Sequence, residues 1–427
     1  MPSIAVVGLQ WGDEGKGKVV DVLSDNVRYV IRSQGGHNAA HTVKIGDEEL
    51  QLHHIPAGIC RENTICYIGG GCVIDPKVLI EELELLQTKQ IDYKNRLFLS
   101  PYAHVIFPYH RIIDEMEAKW RKNEVNEKGI GPCYADKVQR FGIRMADLLS
   151  PLFEEKIAYN LKLKNEILEK IYHYPPLELE QILFEYQRFG SYLKDLIIDK
   201  EAEIAEAIAC GEPVIFEGAQ GALLDLTFGS YPYVTSSSTV AAGLCAGCGA
   251  GPTRIDHTLG VIKAYTSHVG KGPFPTVLNV KEQKLFPSNF MSREIGANIG
   301  RLRQVGWFDS VLVRHALRVN GVDSIALMKL DILDDLEKIK ICVGYKIGQK
   351  EMKTPPILWE DAYKAVPVFE EVEGWKTSTK NVTSYEELPK KAQFFLEKLR
   401  QICGVPINII SVGPERQQTI IRNQFFN

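Results

Sequence analysis

The stretch Ile4-Ala5-Val6-Val7-Gly8-Leu9-Gln10-Trp11-Gly12-Asp13-Glu14-Gly15-Lys16-Gly17-Lys18-Val19-Val20-Asp21-Val22-Leu23 reads as a strand, a glycine-rich turn and a helix. Glycines let backbone N–H groups approach phosphate oxygens, and a helix N-terminus adds positive potential. From Gly12 to Lys18 the spacing matches the G-x-x-x-x-G-K phosphate-loop frame. Val19 stands where that frame puts a Ser or Thr hydroxyl for magnesium. Asp13 and Glu14 lie inside the loop, where a plain phosphate cradle gains nothing from negative charge. A carboxylate pressed against phosphates implies a metal ion to bind or a proton to remove.

Working outward, the 427 residues are 45% hydrophobic and 24% charged, which suits a globular chain with a large core. A formal net charge of −4 offers no basic field for nucleic acid. No apolar run reaches transmembrane length and the chain starts directly in a strand, so no membrane is expected and the cytoplasm is the expected location. Nine cysteines in a chain this long make no compact disulfide framework. Cys245-Ala246-Gly247-Cys248 is one isolated C-x-x-C and reads as small residues in a tight turn. Zinc would need a second pair or nearby histidines.

β-like runs at 4–7, 28–31, 64–68, 214–216, 259–264, 324–329 and 339–345 alternate with helical patterns. The helical patterns fall at 75–89, 112–122, 151–173, 177–210, 308–320 and 385–403. This interleaving predicts an α/β fold. Residues 151–210 are charged, amphipathic and almost free of glycine, and read as a helical subdomain or insertion.

Five further stretches carry chemistry. Gln34-Gly35-Gly36-His37-Asn38-Ala39-Ala40-His41-Thr42 follows a strand, where α/β folds bind ligands. His41 can donate to a phosphoryl oxygen or a leaving group, whereas His37, His53 and His54 read as structural or surface residues. Phe216-Glu217-Gly218-Ala219-Gln220-Gly221 runs from a strand end into a turn. The Gln220 amide suits a base edge, with a turn cap as the alternative. Residues 233–239 are rich in hydroxyls, Thr235 among them, and suit phosphate. Met328-Lys329-Leu330-Asp331 ends a strand, and one carboxylate there can accept both N1–H and N2–H₂ of guanine. Gly296-Ala297-Asn298-Ile299-Gly300-Arg301-Leu302-Arg303 sets two arginines on a loop, for a carboxylate or phosphate, or simply as a basic surface.

Together these stretches resemble the adenylosuccinate synthetase family. The match runs in order along essentially the whole chain, adding Gly129-Ile130-Gly131-Pro132, residues 270–276 and Ser411-Val412-Gly413-Pro414. The resemblance implies one domain over 1–427, with a P-loop-like, NTPase-related fold built on a large, mostly parallel sheet flanked by helices. It also implies a ligase that joins IMP and L-aspartate with GTP and one Mg²⁺ per subunit, the first committed step from IMP to AMP. Asp13 would take the N1 proton of IMP and, with the backbone carbonyl of Ala40, hold the metal. Lys16, Lys18 and the loop amides would offset phosphoryl charge, while His41 and Gln220 complete the catalytic set. GTP would contact the loop from Gly12 to Lys18, Ala40, His41, Thr42, Arg303, Lys329, Leu330, Asp331, Ser411, Val412 and Gly413. IMP would contact Asp13, Glu14, Gly15, Lys16, Asn38, Ala39, Ala40, His41, Asn126, Gln220, Thr235 and Arg301. Arg140 would reach the IMP site from a second subunit, so a homodimer is expected. Aspartate would lie against the loop from Ala297 to Arg303.

Three positions depart from the family pattern: Ala40 replaces a glycine, Val125-Asn126-Glu127 replaces a Thr-Thr-Gly clamp, and Ile299 replaces a threonine. They leave open a related GTP-dependent purine ligase with another amino acid or nucleotide. A GTP-binding regulator is the more distant alternative, disfavoured by Val19 and by Asp13 inside the loop.

Overall fold

The opening apolar run becomes the strand Ser3–Gly8, buried along its whole length, in the middle of a nine-stranded sheet. The computed structural model describes residues 3–45, 48–121, 128–287, 290, 294 and 303–426. On one side of the central strand lie His257–Lys263, Ser324–Met328, Ile407–Ser411 and the edge Thr419–Ile421. On the other lie Val214–Glu217, Tyr29–Arg32, Ile65–Ile68 and Leu97–Leu99. All pair in parallel except the edge Thr419–Ile421. Parallel strands are covered on both faces and read as unbroken apolar runs, which is why most were visible in the sequence.

The expected strand at 339–345 forms, as Lys338–Ile347, but in a separate small sheet with Phe308–Asp309, Lys350–Met352 and Val366–Glu373. Leu97–Leu99 and Ile407–Ser411 lie outside the expected set. Such short apolar runs carry no decisive periodicity. The helix expected from 112 starts earlier, as Pro108–Trp120, because the fixed φ of proline suits a first helical turn.

The long helical pattern at 177–210 splits into Leu179–Leu193 and Glu201–Ala209. Between them the backbone of Leu196 and Ile198 pairs with Leu99, through N–H···O contacts of 2.7 and 3.1 Å. An apolar segment thereby covers a sheet edge that would otherwise expose unpaired backbone groups. The helix Leu179–Leu193 is fastened to the body of the protein. Tyr186 stacks on Phe107 at 4.3 Å and donates to the Ile106 carbonyl at 2.8 Å.

Parallel strands point their carboxyl ends to one edge, and α/β sheets bind ligands there. The loops after Gly8, Arg32, Glu217, Lys263, Met328 and Ser411 all leave from that edge. They carry nearly every chemical motif read from the sequence.

Candidate active site

The glycine loop after Ser3–Gly8 turns into the helix Lys16–Leu23 at Gly15, whose φ of 97° favours glycine. Gly8 is needed for a second reason: a Cβ there would lie 2.4 Å from Glu14 Oε2. The two loop carboxylates divide their work. Glu14 is fully buried and accepts the N–H groups of Gln10 (3.1 Å) and Gly12 (2.9 Å). It also receives the Lys16 ammonium at 2.5 Å. Glu14 therefore braces the loop, and its buried charge is tolerable because every partner is supplied. Asp13 faces outward, its carboxylate held by Arg303 Nη2 at 2.7 Å and Nε at 3.0 Å.

Asp13 has a φ of 55°, a left-handed backbone that costs a residue with a Cβ. Gln220 (57°) and Lys329 (62°) share it, each just past a strand of the sheet. Strain at three motif residues on one edge is a mark of a functional site.

A cavity of about 420 Å³ is lined by Asp13, Lys16, Ala40, His41, Gln220 and Arg303, among others. Gln220 Nε2 donates to Asn38 Oδ1 (3.0 Å), and Asn38 Nδ2 donates to Thr235 Oγ1 (3.2 Å). Three residues expected to meet IMP thus form one hydrogen-bonded chain. The amide oxygens of Gln220 and Gln34 are buried without a protein partner among the described residues. Buried acceptors are normally satisfied, and Gln220 lines the cavity, so its oxygen suits a donor on a ligand.

His41 Nδ1 is hydrogen-bonded to Glu217, the fully buried last residue of its strand. The second Glu217 oxygen accepts from Ala57 N at 2.8 Å. A carboxylate only accepts, so Nδ1 carries the proton and Nε2 is left for the cavity. Glu217→Gln is expected to scramble that tautomer, because an amide can donate to Nδ1. Turnover should fall about 10²-fold, within the range of acid–base contributions. Steady-state kinetics beside calorimetric nucleotide binding check this, and an unchanged kcat would refute the dyad.

A second cavity, of about 540 Å³, is lined by Lys18, Met328, Lys329, Asp331, Ser411 and Gly413, among others. The two cavities share Gly15, Thr42 and Lys329. Leu330 and Val412 are buried, so they reach a ligand only through their backbones. Burial, and then Asp334, raises the Asp331 carboxyl above its ordinary value.

Lys18 departs from the expectation that it sits beside Lys16 against phosphoryl charge. Its ammonium donates to Ser411 Oγ (2.8 Å), Gly413 O (2.8 Å) and Gln418 O (3.1 Å), tying the 411–418 segment to the first helix. Burial lowers it to about 8, against the opposing pull of Asp331 and Glu415. Above that pH the amine has two donors for three acceptors. The KM for GTP should therefore rise between pH 7 and 9, and Lys18→Arg, charged throughout, should flatten the rise. Stability runs the other way, since the unfolded lysine at 10.5 binds its proton more tightly. This group adds stability as pH rises from about 8 to 10.5, so its own deprotonation does not promote unfolding, and a melting curve at each pH separates weaker GTP binding from unfolding driven by other groups.

Other expected residues fall into place unevenly. Arg140 is exposed at the end of the helix Ile130–Gln139 and lines neither cavity. Asn126, with Val125 and Glu127, and the stretch Ala297, Asn298, Ile299, Gly300, Arg301 and Leu302 lie outside the described residues. His37 and His54 are buried, and burial holds both well below the ordinary histidine range. His54 Nε2 accepts from Asp75 N at 3.3 Å, a structural role. The C-x-x-C straddles the end of a short helix, Ala241–Gly247, with Cys245 inside it and Cys248 in the turn that follows. Its thiols donate to the carbonyls of Ala241 and Leu244. Glu217 and Glu294 were not anticipated as site residues. An acid at the end of an apolar strand was the available signal for Glu217.

A glycine phosphate loop on a parallel sheet, with two adjoining nucleotide-sized cavities, defines a nucleotide-dependent α/β enzyme. The family model for adenylosuccinate synthetase matches residues 5–420. The chain is 46% identical over 430 residues to the adenylosuccinate synthetase of Desulfitobacterium hafniense (strain DSM 10664 / DCB-2), with both chains covered in full. It is 47% identical over 425 residues to that of the Paulinella chromatophora chromatophore, covering 99% and 97% of the two. Among solved structures, the fully ligated adenylosuccinate synthetase from Plasmodium falciparum matches with a TM-score of 0.91 and 33% identity, over 99% of this chain and 100% of that one. The chain belongs to the adenylosuccinate synthetase family.

Proposed function

We propose that the chain ligates L-aspartate to IMP using GTP, releasing adenylosuccinate, GDP and phosphate. The observation that carries this reading is the meeting of the two cavities along Gly15, Thr42 and Lys329. One cavity holds Asp13 and the Asn38–Gln220–Thr235 chain, which suit a hypoxanthine nucleotide. The other holds Asp331 and Ser411, which suit guanine. The phosphate loop runs between them, so a γ-phosphate there can face the oxygen of a purine.

The oxygen at C6 of IMP is a poor leaving group until it is phosphorylated. Asp13 removes the N1 proton, and the C6 oxygen forms a bond to the γ-phosphorus as the bond to GDP breaks. The loop amides offset the charge that develops on the transferring group, and His41 adds to this when its Nε2 also carries a proton, with Glu217 facing the resulting cation across Nδ1. The aspartate amine then bonds to C6, and phosphate leaves with the former C6 oxygen. Lys16 is paired with Glu14, which fixes its ammonium in place at the start of the helix.

Magnesium suits this donor set. Among the described residues no group of three or more His, Cys, Asp or Glu can hold a metal alone. The first cavity does bring together the Asp13 carboxylate and the residue Ala40, whose carbonyl is a hard oxygen donor. Mg²⁺ typically takes one or two protein oxygens and completes its shell with phosphates and water. When bound, it would neutralise charge on the triphosphate. The ordinary residue Ala40 costs nothing here, because only its backbone is needed.

Arg140 is exposed and lines neither cavity, which supports its acting on the site of a second copy in a homodimer. All nine cysteines are free thiols, and among the described residues no helix is long and apolar enough to cross a membrane. Free thiols suit a reducing compartment, so we place the enzyme in the cytoplasm.

The test is a product assay with IMP, GTP, Mg²⁺ and a panel of amino acids, read by mass. Succinyl nucleotide is expected with aspartate alone. Faster phosphate release with another amino acid, or GTP turnover without IMP, would overturn the reading.

A further inference from the structure

Glu294 sits at the junction of the two cavities with 2% of its surface exposed. Its two oxygens serve different cations. Oε2 accepts from Arg303 Nη1 at 3.0 Å, and Oε1 accepts from Lys329 Nζ at 2.7 Å. The Tyr265 hydroxyl also donates to Oε1, and Lys329 Nζ reaches that hydroxyl at 3.1 Å. The backbone closes the unit, because Arg303 N donates to the Glu294 carbonyl at 2.8 Å. Behind lies Lys263, fully buried at the end of its strand, with Ser267 as its hydroxyl partner.

The arrangement has a physical logic. Arg303 is shared between two carboxylates, Asp13 on one edge of the guanidinium and Glu294 on the other. Lys329 lines both cavities. Arg303 and Lys263 are buried cations and Lys329 a half-buried one beside them, and Glu294 is the anion placed among the three. Burial alone would raise its carboxyl, but Lys329, Lys263 and Arg303 outweigh burial and hold it well below the ordinary carboxylate range. Without that charge the cations repel one another. Arg303 would then lose the anchor on its Nη1 edge that fixes it against Asp13, and Lys329 would be free to leave the mouth of the second cavity.

We propose that Glu294 is a positioning residue for the ligation: it sets Arg303 against Asp13 and Lys329 at the rim of the GTP cavity, so that one carboxylate aligns the two halves of the site. This rests on the function proposed above. Glu294 lines the second cavity, and its role is exerted through Arg303 and Lys329.

The experiment compares Glu294→Gln with the unaltered enzyme. Glutamine keeps the shape and one acceptor but removes the charge. The KM for GTP should rise at least tenfold and kcat should fall at least tenfold, while the KM for IMP changes less than twofold. Glu294→Asp, which restores the charge one methylene short, should recover part of both losses. GTP affinity measured by calorimetry without the other substrates should fall in step with the KM. A merely structural role would instead lower the melting temperature and weaken both nucleotides alike, and that result overturns the proposal. Unchanged GTP binding in a folded Glu294→Gln protein also overturns it. If that variant does not fold, Tyr265→Phe, which removes only the hydroxyl on Oε1, should raise the KM for GTP two- to fivefold, and no rise counts against the proposal. Wild-type enzyme run in parallel separates the two questions. No succinyl nucleotide from the wild type defeats the proposed function, whereas normal wild-type turnover with an unaffected Glu294→Gln defeats only this inference.

Discussion

Asp13→Asn is expected to stop ligation while both nucleotides still bind. Asparagine tolerates the left-handed backbone that this position adopts, with its φ of 55°, so the loop should fold unchanged. It also offers Arg303 an oxygen in place of the carboxylate now held at 2.7 Å. What it lacks is basicity. General-base catalysis contributes about 10²- to 10⁴-fold, and the charge facing Arg303 is lost as well. A fall in kcat of about 10⁴-fold, equivalent to about 5.5 kcal/mol of barrier, is therefore expected. Single-turnover product formation, with IMP and GTP binding measured by calorimetry, checks both halves. Asp13→Ala should do at least as much damage but is less clean, because alanine in this backbone adds strain of about 1–2 kcal/mol. An Asp13→Asn enzyme with a tenth of normal turnover would remove Asp13 from the role of base.

The second large effect concerns the nucleotide donor. Asp331 follows Lys329, whose left-handed φ of 62° turns the chain at the end of Ser324–Met328. In our reading its carboxylate accepts two N–H groups of guanine. Asp331→Asn replaces one acceptor with a donor, which opposes guanine N1–H or N2–H₂. Each lost charged hydrogen bond is worth about 1.5–3 kcal/mol, so kcat/KM for GTP should drop by about 10²- to 10⁴-fold. Xanthine presents one donor and one acceptor on that edge and matches the asparagine. XTP should therefore become the better donor for Asp331→Asn, and competition between GTP and XTP reads this directly. Equal losses for both nucleotides would mean that Asp331 acts on the fold rather than on the base.

The sequence was readable where the physics is local. A parallel sheet demands apolar strands, and strand ends demand glycine turns, so 4–7, 214–216 and 259–264 announced themselves with the loops that follow them. Reading failed where neighbours decide. Residues 196–198 leave a helical pattern because the open edge at Leu97–Leu99 needs covering. Lys18 has the spacing of a phosphate lysine, yet three acceptors from 411–418 take its ammonium. Spacing specifies where a side chain starts, not which of two cavities it reaches.

The sequence by itself determined the phosphate loop, the chain order of the motifs and the family they resemble, because each rests on neighbours within a few residues. Only the tertiary structure decided what the two loop carboxylates do. Glu14 turns inward to brace Gln10, Gly12 and Lys16, while Asp13 turns outward to Arg303, a residue 290 positions away. The pairing of His41 with Glu217 and the place of Glu294 between Arg303 and Lys329 were settled in the same way. Buried charges survive only beside partners, and in a sheet of this topology those partners arrive from distant strands at a common edge.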